Sequence, residues 1–251
     1  MSRLDGRSFV ITGGSRGIGL GIAQRVVDEG GRVCITGRNR DALVEAATQL
    51  GGGDRAIYVE GHAADVEHQA KAVEMTIERF GSVDGLVNNA GINPAFGPLM
   101  DLNLDTGRKT VEVNCLAALS WVQTCYHRGM RESGGAIVNI TSVAGLRVAP
   151  GIAFYGATKS MLGHLTEELA YELAPTIRVN AVAPAVVKTK FASALYEGNE
   201  EVVASNYPLG RLGMPADVAG IATMLLSEDA SWITGQTYVV DGGLTLGGGL
   251  R

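Results

Sequence analysis

The sequence has few of the residues that mark disulfide scaffolds or nucleic-acid binding. It contains only three cysteines in 251 residues, Cys34, Cys115 and Cys125, and they lie in apolar segments far apart. This spacing predicts small core residues in a reducing compartment, not a disulfide framework. The net charge is −5 and the basic residues are scattered, so the chain lacks the electrostatic footprint of a nucleic-acid partner or an anionic membrane.

Long apolar runs are also absent. No run reaches the roughly 18–20 residues that a membrane-spanning helix needs, and the opening MSRLDGRSFVITGG shows no secretory pattern. We therefore expect a cytoplasmic protein with no membrane and no nucleic-acid partner. Apolar residues still make up 46% of the chain and charged residues 19%, a balance typical of a globular protein with one large core.

Short β-rich runs alternate with longer helical patterns along the chain. The runs predicted to form strands cover residues 8–12, 32–36, 56–60, 83–88, 136–141, 177–183 and 237–241. Between them, segments such as IGLGIAQRVVDEG repeat apolar residues at helical spacing. Near-continuous apolar strands separated by helices predict an α/β fold. We expect one doubly wound, seven-stranded parallel sheet with helices on both faces.

A glycine-rich turn lies between the first predicted strand and the first predicted helix. It reads TGGSRGIG, and Gly13, Gly17 and Gly19 have the spacing G-x-x-x-G-x-G. Glycine lets the backbone approach a pyrophosphate, and the helix N-terminus offers unpaired N–H groups and the positive end of a dipole. The turn is therefore predicted to bind a dinucleotide.

The end of the second predicted strand bears on the choice between NAD and NADP. An acidic residue there binds the ribose hydroxyls of NAD. The sequence instead reads CITGRNR, with Gly37 in that place and Arg38 after it. A guanidinium binds a 2′-phosphate well, and Arg16 in the glycine turn offers a second one. We expect NADP(H) to be preferred over NAD(H), and two solvated arginines are the alternative.

With its later motifs, the chain resembles the short-chain dehydrogenase/reductase family over essentially its whole length. The matching motifs are TGGSRGIG (12–19), ADV (64–66), NNAG (88–91), asparagine at 114, serine at 142, YGATK (155–159), RVNAVAPAVVKT (178–189) and GQTYVVDGG (235–243). The resemblance implies a single-domain Rossmann-type fold and hydride transfer with NAD(P)(H). We expect one domain over residues 1–251, with a cofactor half of about 1–140, a catalytic and substrate half of about 141–251, and a lid at about 186–212.

Four polar residues match the catalytic positions of the family. Tyr155 and Lys159 stand four apart, which places them on one face of a helix. A phenol can exchange a proton with a carbonyl or an alcohol, and the neighbouring ammonium is expected to lower the pKa of the phenol. Ser142, after the fifth predicted strand, can polarise the substrate carbonyl. The resemblance implies that Asn114 holds a water between Lys159 and solvent.

The resemblance also implies contacts with the dinucleotide. Asp65 and Val66 are expected to contact the adenine, Asn88 and Ala90 to line the cofactor groove, and Thr189 to hold the nicotinamide carboxamide. No metal site is expected. The expected cofactor-binding residues are Gly13, Ser15, Arg16, Gly17, Ile18, Gly19, Arg38, Asp65, Val66, Asn88, Ala90, Tyr155, Lys159, Pro184, Val187 and Thr189.

The predicted substrate is a small molecule, a ketone or secondary alcohol with an apolar body. This follows from the mainly apolar residues expected around the pocket. They are Pro94, Phe96, Leu146, Val148, Pro150, Val187, Phe191 and Leu195. Lys188 and Lys190 beside this pocket are expected to be solvated.

Two alternative functions remain open. A 3-oxoacyl-carrier-protein reductase docks an acidic carrier, for which Arg128 and Arg131 are possible anchors. Tyr171, however, stands where the resemblance implies an arginine in such reductases. A non-catalytic NADP-binding sensor is a more remote alternative, because a sensor is free to lose the catalytic residues that this chain retains.

The resemblance further implies a homotetramer. The helices that carry Asn114 and Tyr155 are expected to pair between subunits through apolar outer stripes. We assign to these stripes Leu116, Leu119, Leu162 and Leu169.

Overall fold

The strands of the computed structural model, which describes residues 2–247, follow the predicted pattern. They form one parallel sheet in the order β3-β2-β1-β4-β5-β6-β7. They are β1 Ser8–Thr12, β2 Arg32–Gly37, β3 Ala56–Glu60, β4 Gly85–Asn88, β5 Gly135–Ile140, β6 Ile177–Pro184 and β7 Thr237–Val240. The predicted doubly wound parallel sheet is confirmed.

The helices connect successive strands. Within residues 2–247 they are α1 Gly17–Asp28, α2 Arg40–Gln49, α3 Val66–Phe80, α4 Leu104–Val111, α5 Ala117–Cys125, α6 Arg131–Ser133, α7 Ala153–Leu173, α8 Glu200–Ala204 and α9 Pro215–Leu226. Helices α4, α5 and α6 are continuous, because π-helical turns at Glu112–Leu116 and Tyr126–Met130 join them. None of the helices in this part of the chain is both long and apolar enough to cross a membrane.

Each face of the sheet has its own apolar core. Side chains alternate along a strand, so Phe9 contributes to one core and Val10 to the other. Helices α1, α2 and α9 cover the first face, and α3, α5 and α7 cover the second. All three cysteines are buried free thiols, which confirms the prediction that they are core residues.

The strand order reverses between β1 and β4, at the centre of the sheet. In open parallel sheets, ligands bind in the crevice beyond the carboxyl ends of the strands at such a reversal. Helix α1 begins five residues after β1 ends, so the glycine turn lies at this crevice. The end of β5, where Ser142 follows, lies at the same edge.

Candidate active site

The glycine turn after β1 requires glycine for two separate reasons. Gly13 and Gly17 have φ angles of +64° and +57°, a region that other residues rarely adopt. A Cβ on Gly19 would lie 2.4 Å from the carbonyl oxygen of Gly13, closer than non-bonded atoms approach. The turn thus keeps its backbone bare at the N-terminus of α1, as a pyrophosphate site requires.

The chain after β4 holds the glycine turn in place. The Thr12 hydroxyl accepts hydrogen bonds from the backbone N–H groups of Asn89 and Ala90, each at 3.0 Å. The Asn89 side-chain amide donates to the carbonyl oxygens of Thr12 and Gly13, at 2.8 and 3.1 Å. Thr12 and Asn89 were not among the predicted site residues. In the sequence, Thr12 is the polar residue before the first glycine of the turn, and Asn89 is the second asparagine of NNAG.

The side chain of Asn88 is buried. It is 4% exposed and donates to the carbonyl of Ala118 in α5 and to the side chain of Asn139 in β5. The expectation that Asn88 lines the cofactor groove stays a prediction, and its side chain does not point there. The pleat of β4 turns it toward the α5 face of the sheet, because side chains of successive strand residues point to opposite faces.

The end of β2 leaves room around Gly37. A Cβ there would lie 3.6 Å from the Ser15 hydroxyl and from a methyl of Leu43, which are ordinary contact distances. Arg16 and Arg38 are both exposed on this side of the glycine turn. Residue 37 thus contributes no carboxylate to the end of β2, and its surroundings leave room for a side chain there.

Asp65 and Val66 stand where α3 begins. The Asp65 carboxylate accepts from the backbone N–H of Glu67 at 2.9 Å and caps the helix. Val66 is 62% exposed, unusually high for a valine. Both side chains are thus accessible, as residues that contact an adenine ring must be.

The catalytic residues come together from β5 and α7. Ser142 follows β5, and Tyr155 and Lys159 lie in the first two turns of α7. The chain after Ser142 packs tightly on this helix, because a Cβ on Gly145 would lie 2.7 Å from the Ser160 nitrogen and one on Gly156 would lie 2.3 Å from the Ala144 oxygen. These two glycines bring the serine next to the helix, a role the sequence analysis did not assign.

Lys159 is a buried cation. It is 4% exposed, and its ammonium donates to the carbonyl oxygen of Ile140 at 2.7 Å. The nitrogen lies 5.7 Å from the centroid of the Tyr155 ring, over the ring and not at the hydroxyl. Burial lowers the pKa of Lys159 to about 8.

In the polypeptide alone, burial raises the pKa of Tyr155 to about 12, while a hydrogen bond with the Ser142 hydroxyl acts in the lowering direction. The lowering expected from the Lys159 cation together with a bound NADP⁺ stays a prediction. The ammonium is turned toward the strand carbonyl, and desolvation of the phenolate outweighs its influence.

Asn114 lies in the π-helical turn between α4 and α5 and is 1% exposed. Its amide oxygen accepts from the backbone N–H of Ile92 at 2.8 Å, and its amide nitrogen donates to the Ile92 carbonyl at 2.9 Å. The amide nitrogen also donates to the Thr158 hydroxyl at 3.0 Å. Asn114 thus ties the chain after β4 to α7, directly beside Lys159. π-helical turns of this kind are frequent at functional sites.

The chain after β6 crosses the glycine turn. A Cβ on Gly17 would lie 3.1 Å from a methyl of Thr189, which places Thr189 opposite the turn. Val187, by contrast, is 4% exposed and packs in the core beneath α1 and α9. Its side chain is not a pocket wall, contrary to the expectation. It faces inward because residues 187 and 213 form a β-bridge that fixes the chain direction.

The segment at 186–212 is closed at its base and holds two short helical turns. The N–H of Lys188 donates to the Gly213 carbonyl at 2.8 Å, and the N–H of Gly213 donates to the Val186 carbonyl at 3.1 Å. The helical turns are Ser193–Leu195 and α8. Phe191 precedes these helical turns in the chain, and the centroid of its ring lies 6.1 Å from the centroid of the Tyr155 ring.

Seven of the eight predicted pocket residues are exposed apolar side chains, and together they are called the apolar rim. Phe96 is 79% exposed and Val148 is 87% exposed. The other exposed residues of the rim are Pro94, Leu146, Pro150, Phe191 and Leu195. Of the predicted pocket residues, only Val187 is withdrawn from the surface.

Two leucines of the predicted subunit contact are buried within the chain. Leu162 and Leu169 are 3% and 8% exposed, and Leu169 packs in the core between the sheet and α7. Their assignment to an outer stripe is therefore wrong. Leu119 is partly buried against the same core, while Leu116 remains 51% exposed. The apolar side of α7 that contains Leu169 packs into the core of the same chain, so its burial does not require a second subunit.

The chain is similar to known proteins over almost its whole length. Residues 13–245 match the sequence model of the family described as "Enoyl-(Acyl carrier protein) reductase". Dehydrogenase/reductase SDR family member 4 of Caenorhabditis elegans is 39% identical, over 96% of each chain. Short-chain dehydrogenase/reductase SDRA of Arabidopsis thaliana is 36% identical, also over 96% of each chain.

Solved structures show the same architecture. A short-chain dehydrogenase/reductase described as glucose/ribitol dehydrogenase, from Brucella melitensis, matches with a TM-score of 0.91 and 32% identity, over 96% of this chain and 98% of that one. A short-chain type dehydrogenase/reductase from Mycobacterium ulcerans matches with a TM-score of 0.91 and 33% identity, over 97% and 91%. With the glycine turn, the parallel sheet and the Ser–Tyr–Lys cluster, these matches show that the chain belongs to the short-chain dehydrogenase/reductase family of NAD(P)-using oxidoreductases.

Proposed function

We propose that this protein interconverts ketones and secondary alcohols with NADP(H), and that Tyr155 is the general acid and base. The observation that carries the proposal is the convergence of Ser142, Tyr155 and Lys159 beside the glycine turn, at the carboxyl edge of the sheet. When bound, the nicotinamide dinucleotide supplies a hydride to the carbonyl carbon or takes one from the alcohol carbon.

The protein handles the proton of this reaction. In reduction, the Tyr155 hydroxyl gives its proton to the carbonyl oxygen as the alcohol forms, and in oxidation the phenolate takes it back. A pKa raised by burial to about 12 keeps the phenol protonated at neutral pH, which suits the reductive direction. The Ser142 hydroxyl donates a hydrogen bond to the same oxygen. Lys159 is the donor for the ribose hydroxyls of the dinucleotide.

NADP(H) is the preferred cofactor in this proposal. Arg16 and Arg38 are exposed beside the glycine turn, and Gly37 leaves the end of β2 without a carboxylate. Charge-assisted hydrogen bonds to a 2′-phosphate are stronger than those between neutral groups. The other expected cofactor-binding residues keep the roles that the family resemblance assigns them, except for the side chains of Asn88 and Val187, which are buried.

The proposed substrate is a small molecule with an apolar body. The rim of the cleft is apolar, and the basic residues that an acidic carrier needs are engaged elsewhere. Arg128 forms an ion pair with Glu74, and Arg131 lies over the Tyr126 ring at 5.9 Å. Lys188 pairs with Glu200 at 2.8 Å. This pairing supports a small-molecule substrate over an acyl-carrier protein.

The proposal includes a lid, an assembly and a location. The segment at 186–212 is the lid, because it is clamped at its base and carries exposed apolar residues over Tyr155. The single domain assembles as a homotetramer, a state supported by exposed apolar side chains such as Leu116 and Met161 on the catalytic helices. The protein is cytoplasmic, in keeping with its three free thiols.

An activity panel followed at 340 nm tests the proposal. Wild-type protein with NADPH is given uncharged ketones, a 3-oxoacyl thioester and an enoyl thioester. We expect NADPH consumption with ketones and at least tenfold higher kcat/KM for NADPH than for NADH, the discrimination that one charge-assisted contact supplies. Turnover confined to a thioester would move the function to acyl reduction. NADPH binding without turnover of any substrate would support the sensor alternative.

A further inference from the structure

Thr158 is a buried residue between the two catalytic residues of α7. It is 2% exposed, and its hydroxyl donates to the carbonyl oxygen of Tyr155 at 2.7 Å. The same hydroxyl accepts from the side-chain amide of Asn114 at 3.0 Å. The side chain therefore connects the turn that carries Tyr155 and Lys159 to the π-helical turn that carries Asn114.

The direction of these hydrogen bonds is fixed by chemistry. A hydroxyl has one proton, and the Tyr155 carbonyl can only accept, so the Thr158 hydroxyl must accept from Asn114. The Asn114 amide oxygen then points the other way, toward the N–H of Ile92. A Cβ on Gly91 would lie 3.3 Å from that oxygen and 3.5 Å from the Lys159 nitrogen. The amide oxygen of Asn114 and the ammonium of Lys159 therefore both lie next to Gly91.

A second contact from the π-helical turn holds the main chain of the same residue. The Cys115 thiol donates to the Thr158 carbonyl oxygen at 3.2 Å. Consecutive residues of the turn thus contact residue 158, one through its side chain and one through its carbonyl. This double contact fixes the rotation of α7 where its catalytic side chains leave the helix.

We propose that Thr158 is a positioning residue for the reaction, acting through Asn114 and the first turns of α7. The inference rests on the proposed roles of Tyr155 and Lys159. The hydroxyl holds the amide of Asn114 with its oxygen on the Lys159 side, and it holds the Tyr155 turn against the chain after β4. Loss of the hydroxyl leaves a buried amide donor with one partner fewer and lets both turns relax.

The chain contains a matched control two turns further along α7. The Thr166 hydroxyl donates to the Leu162 carbonyl at 2.8 Å and accepts from the side-chain amide of Asn139 at 2.9 Å. It is fully buried, like Thr158. The two threonines make the same kinds of hydrogen bond, but the partners of Thr166 are not catalytic residues.

The test compares Thr158→Val, Thr158→Ala and Thr158→Ser with Thr166→Val. For each variant, kcat, the KM for NADPH and chemical unfolding are measured. We expect Thr158→Val and Thr158→Ala to lower kcat on the order of tenfold while KM changes little. This is the effect expected when a buried donor, here the Asn114 amide, loses one hydrogen bond. Thr158→Ser should restore most of kcat. Thr166→Val should lose comparable stability and keep its kcat.

A double-mutant cycle with Asn114→Ala separates positioning from general destabilisation. Because Thr158 acts through Asn114, adding Thr158→Val to Asn114→Ala should cost little more in kcat. Full additivity of the two losses would overturn the inference, as would an equal fall in kcat for Thr166→Val. If Tyr155→Phe is inactive and Thr158→Val is fully active, only the positioning role fails. If Tyr155→Phe stays active, the proposed function itself fails.

Discussion

The cleft has two walls that differ in how far their polar side chains are exposed to solvent. The dinucleotide wall consists of the glycine turn at 12–19 and the end of β2 at 36–38, and the catalytic wall consists of Asn114, Ser142, Tyr155 and Lys159. On the dinucleotide wall the backbone is bare and both arginines are exposed. On the catalytic wall Asn114 and Lys159 are almost fully buried, and each has hydrogen-bond partners.

In the proposed function, this difference separates the choice of cofactor from proton transfer. An exposed arginine keeps its hydration and costs little stability, so cofactor choice can rest on side chains that leave the fold unchanged. A buried ammonium carries a desolvation cost, which lowers the pKa of Lys159, but its surroundings hold it in one place. The folded protein thus loses some stability by burying Lys159, and in return the ammonium is held in a fixed position in the catalytic wall.

The largest effect is expected at Tyr155. Tyr155→Phe removes the hydroxyl to which the proposed function assigns proton exchange and keeps the ring that packs near Phe191. General acid catalysis is typically worth ~10²–10⁴-fold, so kcat should fall by at least that range. Steady-state reduction of a ketone measures the effect, with Tyr171→Phe as the control for loss of an exposed phenol elsewhere on α7. Wild-type turnover by Tyr155→Phe would remove this residue from its proposed role.

A smaller effect is expected at the dinucleotide wall, where Gly37→Asp combined with Arg38→Leu should reverse the cofactor preference. The new carboxylate repels a 2′-phosphate and binds ribose hydroxyls, while the lost guanidinium removes attraction. The wild-type preference of ~10–100-fold for NADPH should become a preference for NADH. The ratio of kcat/KM values for the two cofactors measures it. The structure has room for the new side chain, since a Cβ at residue 37 meets nothing closer than 3.6 Å.

The smallest effect concerns stability and pH. Burial lowers the pKa of Lys159 from 10.5 to about 8, so between these values the folded protein binds fewer protons than the unfolded chain. Stability due to this group therefore rises with pH through that window. Relative to Lys159→Met, the wild-type protein should gain about 2 kcal/mol between about pH 7.5 and about pH 9.5. Urea unfolding without added cofactor measures the gain.

The two walls supply the control for that measurement. Arg38→Leu removes a cation that is exposed, so the stability difference from wild type should stay constant over the same range. A pH-independent difference for Lys159→Met as well would mean that the ammonium is solvated in the folded protein.

The sheet could be predicted from the sequence, and so could the closeness of Ser142 to the helix that carries Tyr155 and Lys159. Apolar runs marked all seven strands because parallel strands are buried on both faces. The glycine turn was recognisable because positive φ angles and close backbone approach leave glycine no substitute. Tyr155 and Lys159 followed from helical spacing, which does not depend on distant contacts.

The direction in which side chains point was harder to predict. Asn88 and Val187 were assigned to the cleft, but strand pleat and a β-bridge turn both inward. Leu162 and Leu169 were assigned to a subunit contact, although both are buried within the chain and Leu169 packs in its core. Residue spacing reveals a stripe but not what it packs against.

Local helix geometry and electrostatics were also beyond the sequence. The π-helical turn at Glu112–Leu116 changes the rotation per residue, so both Asn114 and Cys115 reach Thr158. No spacing rule for a regular helix gives that pair. The pKa of Tyr155 depends on how much water the folded chain excludes, which outweighs the nearby ammonium.

The equilibrium affinity of Tyr155→Phe for NADPH, measured by titration of the nicotinamide fluorescence, tests the division between the two walls most directly. If the dinucleotide wall and Lys159 bind the cofactor and the Tyr155 hydroxyl serves proton transfer, this variant should bind NADPH nearly as tightly as the wild-type protein while its ketone reduction is lost. A dissociation constant that rises in parallel with the loss of turnover would contradict this division. It would show that Tyr155 serves mainly to bind the cofactor.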